Sequence, residues 1–290
     1  MRLGTRGSSL ALAQASWVAE RLSGEVEIVP ITTTGDRKRA AGDKSRFVKE
    51  IEEALLAGEV DLGVHSAKDV PADLPDGLAI VGVPARADPR DALCGATSLD
   101  ALADRAVVGT SSLRRRSQLL ALRPDLDVRD LRGNVDTRLS KLDEYDALVL
   151  AAAGLARLDR AGEGEPIDAS LLTPAAGQGA LLLEARSGDE EAREAAASLT
   201  DRDALTCLMA ERAVVAALEA DCHTPVAAHA TLSDGLLSLD AYVGLPDGSE
   251  WVRDSLEGDS AESSALGEEV ASRLLAAGGE RMLSWLASST

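Results

Sequence analysis

The sequence has few aromatic residues, relatively few positively charged residues and no long apolar run. Aromatic residues make up 2% of the 290 residues, and 49 acidic residues against 30 Lys and Arg give a formal net charge of -19. Nucleic acids are bound through basic side chains, and their bases stack on aromatic rings. An acidic chain almost without rings therefore indicates no nucleic-acid partner.

Membrane insertion and disulfide bonding are also poorly supported. No apolar run reaches the length of a membrane-spanning helix. LALAQA at 10–15 looks superficially like a signal-peptidase site, but Arg6 and Glu20 interrupt that segment. Three cysteines at unrelated spacings give no disulfide framework and suit a reducing compartment. These features predict a cytoplasmic protein with no membrane partner.

The positive charge is concentrated between Val107 and Lys141, where seven Arg and one Lys face four Asp. The segment begins with the end of an apolar strand, Thr110 and Ser112 supply helix-capping hydroxyls, and 113–122 has helical apolar spacing. A helix N-terminus presents unpaired backbone N–H groups to an anion. The pattern predicts an anion site, although an exposed basic helix balanced by aspartates remains an alternative.

Two pairs of arginines fit that anion site. Arg114 and Arg115 lie in the first turn of the predicted helix, and Arg132 and Arg138 flank Gly133-Asn134 after the next strand. Guanidinium is always charged and binds a carboxylate or phosphate through two parallel hydrogen bonds. A ligand with several acidic groups is therefore expected.

Strands and helices predict an α/β protein, and their alternation in the second of two predicted lobes indicates a mostly parallel sheet there. LGTRGSSLALAQ at the start is similar to VGTSSLRRRSQ at 108–118, which suggests two related lobes. The first would comprise 1–84 and 180–199, the second 88–174, and a small α+β domain 203–290. Crossings between the lobes are expected at the connector 84–92 and near 173–180.

The later segments complete this prediction. PAAGQGA at 174–180 has no preceding strand and no third glycine, so it indicates the second crossing rather than a dinucleotide site, with 180–185 returning as a strand to the first lobe. Three strands near 226–232, 236–243 and 250–256 and a helix from about 260 to 276 form the third domain.

Asp69 is the best candidate for an acidic catalytic group. It follows the buried strand VDLGVHS at 60–66 together with Lys68, and Pro71 prevents the strand from continuing. Open α/β sheets bind ligands beyond the carboxyl ends of their strands. Asp69 could therefore face a cation that develops during a reaction, or serve as a cap or surface ion pair. His65, inside the strand, is expected to be a hydrogen-bonded core residue.

Cys222 lies in the loop LEADCHTPV between a helix and a strand. Taken alone, it is more often an inert thiol than a reactive one. A zinc site with His223 and His229 would lack a suitable fourth ligand. A Cys-His hydrolase is possible, but neither spacing nor context favours it.

Eight segments resemble, in order and spacing, the porphobilinogen deaminase (hydroxymethylbilane synthase) family. The resemblance covers nearly the whole chain, is weakest after about residue 245, and is most specific in VHSAKDVP, GTSSLRR and LRGNVDTRLSKLD. The full set of matching segments is GTRGSSLALAQ, FVKEIEEALL, DLGVHSAKDVP, DPRDAL, GTSSLRRR, LRGNVDTRLSKLDEYDALVLAAAGLARL, PAAGQGALLLE and LEADCHTPVA.

The resemblance implies two periplasmic-binding-protein-like (type II) α/β lobes plus a small α+β C-terminal domain. The family joins four porphobilinogen molecules head to tail with loss of ammonia, and hydrolysis then releases a linear tetrapyrrole. The growing chain is held on a dipyrromethane cofactor through a thioether to a cysteine that matches Cys222. The resemblance implies no metal, and we expect a monomer.

The family's functional residues match this chain residue by residue. Asp69 matches the catalytic aspartate, which stabilises the azafulvene cation formed when ammonia leaves, and 33–46 matches the lid. The cofactor-binding matches are Cys222, Lys44, Ser66, Lys68, Thr110, Ser112, Arg114, Arg115, Arg132, Gly133 and Asn134. The substrate-binding matches are Arg6, Ser8, Phe47, Arg138 and Gln178.

Several positions depart from the family pattern. Ala220-Asp221 stands where the family has Gly-Gly before the cofactor cysteine, and a neighbouring carboxylate tends to raise the pKa of a thiol. Asp136 replaces a frequent Gly after Asn134-Val135, Ala67 replaces a frequent Met, and the lid is short, with Ser45-Arg46 in place of Gly-Leu. None of these departures removes a matching charged residue.

Overall fold

The computed structural model describes residues 1–33, 47–220 and 224–289, which form three β-sheets with packed helices. Lys44, nearly all of the predicted lid and Cys222 lie outside these residues. Two sheets have five strands each, and the third has three. The strands of each sheet fall within one of the three predicted units, whose boundaries remain a prediction.

The first lobe is built on a sheet of order β2-β1-β3-β10-β4. β1 pairs in parallel with β2 and β3, whereas β10 is antiparallel to β3 and β4, which confirms the predicted return strand. Its strands are β1 (Arg2–Arg6), β2 (Glu27–Ile31), β3 (Leu62–Ser66), β4 (Leu78–Gly82) and β10 (Leu181–Arg186), and its helices are α1 (Ser9–Ala19), α2 (Lys49–Leu56) and α6 (Glu190–Ala197).

The second lobe has a sheet of order β7-β6-β8-β5-β9. Its strands are β5 (Asp91–Cys94), β6 (Val107–Gly109), β7 (Asp127–Arg129), β8 (Ala147–Ala151) and β9 (Glu165–Pro166), with α3 (Leu113–Leu122), α4 (Val135–Leu139) and α5 (Ala152–Ala156). The predicted connector 84–92 is too long, because its last two residues belong to β5. The expectation of a mostly parallel sheet in this lobe is also wrong: β6 is parallel to β7 and β8, but β5 is antiparallel to both of its neighbours, so the sheet is mixed.

In the described residues, the third domain is an antiparallel meander with three α-helices. It comprises α7 (Arg202–Ala217), β11 (Val226–Ser233), β12 (Leu236–Gly244), β13 (Trp251–Asp259), α8 (Ser263–Leu274) and α9 (Glu280–Ser289). The prediction that one helix completes the domain is wrong. Gly278 adopts a φ of 122°, which bends the chain after α8 and allows α9 to begin.

Each sheet has its own buried apolar cluster. Leu3, Val18 and Leu183 belong to the first, Val108, Leu119 and Val149 to the second, and Val214, Leu239 and Val270 to the third. Apolar burial therefore stabilises each unit, and a further cluster, in which Val83 and Leu182 of the first lobe pack with Leu208 of α7, joins the first lobe to the third domain.

The two crossings run side by side and meet the third domain at Glu211. The Ala87 amide donates to the Gly179 carbonyl at 3.2 Å. Glu211 on α7 is fully buried, and it accepts from Arg86 Nη1 at 2.6 Å and from the Gly177 amide at 2.7 Å. Burial opposes its ionisation, but Arg86 and His229 outweigh burial and lower its pKa. One carboxylate thus ties both crossings to the third domain.

Candidate active site

Strand β3 ends in a short 3-10 turn, Ala67–Asp69, which carries the predicted acid. Ala67 is buried, and its amide donates to the Ala180 carbonyl at 3.0 Å. Gly177 has a φ of +72°, and a Cβ there would lie 2.9 Å from the Ala67 carbonyl carbon. The second crossing therefore packs directly on the turn and fixes the direction in which Lys68 and Asp69 leave it.

Asp69 lines a pocket of the first lobe together with Arg6, Ser8, Phe47 and Ser66. The Arg6 guanidinium carbon lies 4.3 Å from the centre of the Phe47 ring, at cation-π distance. Ser8 caps α1 by accepting from the Ala11 amide at 3.3 Å. The pocket thus combines a cation, a carboxylate and a helix N-terminus.

Two polar residues behind this pocket are held by partners. Ser66 Oγ accepts from Gln14 Nε2 at 2.8 Å. His65 is 4% exposed, and its Nε2 lies 3.1 Å from Glu184 Oε2. The prediction that His65 is a core residue is confirmed, whereas its Nε2 has no hydrogen-bond partner among the described residues.

In the second lobe, α3 begins as predicted. Ser112 is its N-cap and accepts from the Arg115 amide at 3.5 Å, and Thr110 Oγ1 accepts from the Ser112 amide at 3.3 Å. Arg114 and Arg115 are each only 5% exposed. The alternative of an exposed basic helix is therefore wrong for these two arginines.

Asp91, the first residue of β5, holds the two guanidinium groups. Arg114 Nη2 lies 2.8 Å from its Oδ2, and Arg115 Nη2 lies 2.7 Å from its Oδ1. Gln178 Nε2 donates to Oδ1 at 2.8 Å. Burial opposes ionisation of Asp91, but the arginines and these hydrogen bonds lower its pKa to about 2. Asp91 is thus a buried anion.

Asp91 was not predicted from sequence. It lies in DPRDAL, which reads as a connector, and its partners come 23 residues and more later in the chain. The available signal was an acidic residue opening the apolar run Ala92-Leu93-Cys94, since a buried charge needs a partner.

Lys68 reaches the same cluster from the first lobe. Its Nζ donates to Gln178 Oε1 at 3.3 Å, and Gln178 is 1% exposed. Burial of the ammonium lowers its pKa to about 8, although Asp69 acts in the opposite direction. Lys68, Gln178 and Asp91 form a polar chain that crosses from one lobe to the other.

Arg138 also belongs to this cluster. Burial and the nearby Arg115 lower its pKa to about 10, and Asp69 partly offsets them. Its Nε donates to the carbonyl of Gly133, which has a φ of +128°. The charge of Asp69 in the first lobe thus acts on Arg138 of the second lobe.

The other predicted residues of this loop are placed differently. Asn134 caps α4 by accepting from the Thr137 amide at 2.8 Å. Arg132 is exposed and pairs with Asp130 at 3.4 Å. Asp136, the departure from the family pattern, pairs with Arg160 at 3.1 Å.

Arg157 is a further cation at the crossing that was not predicted from sequence. It follows α5, and its Nη2 donates to the Gly179 carbonyl at 2.7 Å. Burial lowers its pKa to about 10. Its helical surroundings carry no charge pattern that would have distinguished it.

Comparison with known proteins matches two family models. "Porphobilinogen deaminase, dipyromethane cofactor binding domain" matches residues 1–194, and "Porphobilinogen deaminase, C-terminal domain" matches 205–276. The chain belongs to the porphobilinogen deaminase family.

Two curated relatives extend the match over nearly the whole chain. The Porphobilinogen deaminase of Thermus thermophilus is 49% identical, and that of Deinococcus radiodurans 46%, each over 97% of both chains. Among solved structures, a periplasmic substrate-binding protein of an ABC transporter from Coxiella burnetii aligns with a TM-score of 0.43 at 14% identity, over 71% of this chain and 94% of that one.

Membership of the porphobilinogen deaminase family assigns the chain to tetrapyrrole biosynthesis with a dipyrromethane cofactor. The cationic side chains of this site suit a dipyrromethane, which carries several carboxylates. Each pyrrole ring carries an acetate and a propionate, and among the described residues Lys68, Arg114, Arg115 and Arg138 form a cluster of four cations with the carboxylates Asp69 and Asp91. The surplus of positive charge suits an oligomer rich in carboxylates.

The described ranges contain no helix long and apolar enough to cross a membrane. In the same residues, no group of three or more His, Cys, Asp and Glu side chains could hold a metal ion.

Proposed function

We propose that this chain is a transferase that joins four porphobilinogen molecules head to tail with loss of ammonia and releases hydroxymethylbilane by hydrolysis. The observation that carries the proposal is the position of Asp69 in the turn that ends β3, next to Lys68, where its charge also acts on Arg138 of the second lobe. Family membership supplies the substrate, and this cluster supplies groups suited to it.

Asp69 would act as the catalytic residue. Departure of ammonia from porphobilinogen leaves a positive charge delocalised over the pyrrole ring and its N–H. A fixed carboxylate that accepts a hydrogen bond from that N–H stabilises the charge more than it stabilises the neutral substrate. The same carboxylate can accept the proton that is lost after the new carbon–carbon bond forms.

The cations would hold carboxylates rather than react. Arg6, with Ser8 at the N-terminus of α1, is suited to the incoming substrate, and Arg138 and Lys68 are suited to the growing chain. Charge-assisted contacts contribute about 1.5–3 kcal/mol each, so a few suffice for binding without a metal.

Cys222 would carry the cofactor through a thioether. The dipyrromethane group, when bound, supplies the free pyrrole α-carbon from which the product extends. Ser66, Thr110, Ser112, Arg114, Arg115 and Lys68 remain our candidates for holding it, with Lys44, Arg132, Gly133 and Asn134. Asp91 would keep the Arg114 and Arg115 side chains in place beside it.

Intact-mass measurement of freshly purified protein tests the cofactor assignment. We expect an adduct of two pyrrole units, mapped to the Cys222 peptide, and ammonia release with added porphobilinogen. A bilobal binding protein that only holds an anion would show neither. A cysteine-dependent hydrolase would instead lose ester or amide hydrolysis on thiol alkylation.

Asp69→Asn tests the catalytic role. We expect kcat to fall by about 10²–10³-fold, the effect of removing one fixed electrostatic stabiliser, while the adduct and the fold are retained. The control is Asp76→Asn, which removes an exposed carboxylate near the same turn. Near-normal turnover in Asp69→Asn would refute the role.

We also propose that the chain acts as a monomer in the cytoplasm without nucleic acid. The described candidate residues of both lobes meet within a single chain, so a second copy is not needed to supply them. A mass of one chain in sedimentation analysis would agree with this, and a stable dimer would contradict it.

A further inference from the structure

A guanidinium from the third domain holds the chain immediately after Asp69. Arg212 lies on α7 and is 8% exposed. Its Nη1 donates to the Val70 carbonyl at 3.3 Å, and its Nη2 donates to the carbonyls of Pro71 and Ala72, each at 2.7 Å. Three consecutive carbonyls of the first lobe thus converge on one side chain.

These carbonyls need such a partner. The 3-10 turn ends at Asp69, and Val70 and Pro71 lead away from it in a segment that forms no strand. Pro71 has no N–H, so it cannot donate a backbone hydrogen bond, and the segment cannot pair as a regular strand of a β-sheet. Carbonyls left without a donor in a buried place are costly, and a planar guanidinium can satisfy several at once.

The charge of Arg212 is also balanced within the first lobe. Burial lowers the pKa of its guanidinium, whereas Glu184 of β10 and Asp73 beyond the carbonyls favour the charged form. Glu184 in turn contacts His65, the neighbour of Ser66 at the pocket. Arg212 therefore acts on β3 and on the segment that follows its turn.

We propose that Arg212 is a positioning residue that sets the direction of the Asp69 carboxylate from the third domain. The inference rests on the proposed function, because it concerns the same carboxylate. Glu211, its neighbour on α7, holds the two crossings through Arg86 and Gly177. Thus Glu211 holds the crossings and the adjacent Arg212 holds the catalytic turn. Arg212 lies ten residues before Cys222, the cysteine expected to carry the cofactor.

A purely structural role would predict a different result. Loss of a packing contact lowers stability and the yield of folded enzyme, but each folded molecule keeps its turnover. A misdirected Asp69 instead lowers kcat in folded, loaded enzyme with little change in KM, since displacement of a catalytic group by about 1 Å can cost up to about 10²-fold.

The test compares Arg212→Lys and Arg212→Gln as loaded enzymes. Lys keeps the positive charge but lacks the planar guanidinium group, and Gln keeps an N–H donor but lacks the charge. Each variant can therefore still donate a hydrogen bond to some of the three carbonyls. Arg202→Lys is the control, because Arg202 is exposed at the start of the same helix. Intact mass establishes loading, circular dichroism establishes folding, and hydrogen exchange of the peptide over 67–73 reports on the turn.

We expect kcat to fall by about tenfold or more in Arg212→Gln and by less in Arg212→Lys, with KM within about twofold and faster exchange over 67–73. Arg202→Lys should match the wild type.

Unchanged kcat in a folded, loaded variant, or unchanged exchange over 67–73, overturns the inference while the proposed function stands. If only one variant folds, that variant decides, and failure of both to fold at any temperature overturns the inference in favour of a structural role. A wild-type chain that does not consume porphobilinogen refutes the proposed function itself.

Discussion

Asp91 is the residue on which the buried arginine pair depends. Without its charge, the guanidinium groups of Arg114 and Arg115 would remain buried with no counter-ion. Removing one member of a buried ion pair costs about 3–5 kcal/mol. We therefore expect Asp91→Asn to lower the free energy of unfolding by this amount in urea denaturation. Asp88→Asn, which breaks the partly exposed pair with Arg90, should cost at most ~1 kcal/mol, and a similar small loss for Asp91→Asn would contradict the prediction.

If Lys68 holds the cofactor as proposed, we expect cofactor loading to depend on pH. Its folded pKa of about 8 is below the usual value, so the ammonium is fully charged below about pH 7 and loses its charge as the pH rises through 8. Loading of the apoprotein with pyrrole carboxylates should therefore weaken above pH 8, as followed by intact mass after incubation with porphobilinogen. Lys68→Arg should load equally well up to about pH 9, because guanidinium stays charged. An identical decline in this variant would assign the pH dependence to another group.

At the scale of single residues, the sequence predicted that Arg114 and Arg115 lie in the first turn of α3, but it did not predict their contacts. The capping hydroxyls of Thr110 and Ser112 follow from local spacing and were found. Asp91 is distant in sequence, so no local pattern could pair it with Arg114 or Arg115. Arg212 was missed for the same reason, since its three partners lie about 140 residues earlier.

Among the elements, the second crossing depends on Gly179. It has a φ of +87°, and a Cβ would lie 2.4 Å from the Ala87 carbonyl oxygen on the neighbouring crossing. Gly179→Ala should therefore push the two crossings apart and lower the thermal midpoint. The expected loss in the free energy of unfolding is about 1–3 kcal/mol. Gly188→Ala is the matched control, because nothing lies within 4 Å of its Cβ position. Equal midpoints for the two variants would exclude this steric role.

The strand-turn-helix units were predictable because buried strands, capping hydroxyls and helical apolar spacing are local features. Two elements were not. β5 has only four residues and follows a Pro-rich charged stretch, so its apolar run is too short to show a period. α9 follows Gly278-Gly279, which resembles the end of a helix, and only packing against the third domain shows that the chain turns and continues.

On the scale of the molecule, acidic residues outnumber basic residues, and most of the acidic residues lie on the surface. The buried acids Asp91 and Glu211 are paired with arginines, but most of the 49 acidic residues lie on the surface and exceed the 30 basic residues. Like charges on a compact surface repel one another and favour the unfolded chain. The screening length falls from about 30 Å at 0.01 M salt to 3 Å at 1 M, so added salt weakens this repulsion.

We therefore expect the thermal midpoint to rise as NaCl increases from low ionic strength to about 1 M. Exposed ion pairs are weakened by the same salt, but each contributes at most ~1 kcal/mol, and the excess of acidic residues makes repulsion the larger effect. A net gain of about 1 kcal/mol corresponds to roughly 2–4 °C for a chain of this size. Sulfate is avoided because it also strengthens apolar burial, and sorbitol at equal osmolality is the uncharged control. A midpoint that falls with NaCl would mean that surface ion pairs outweigh the excess negative charge.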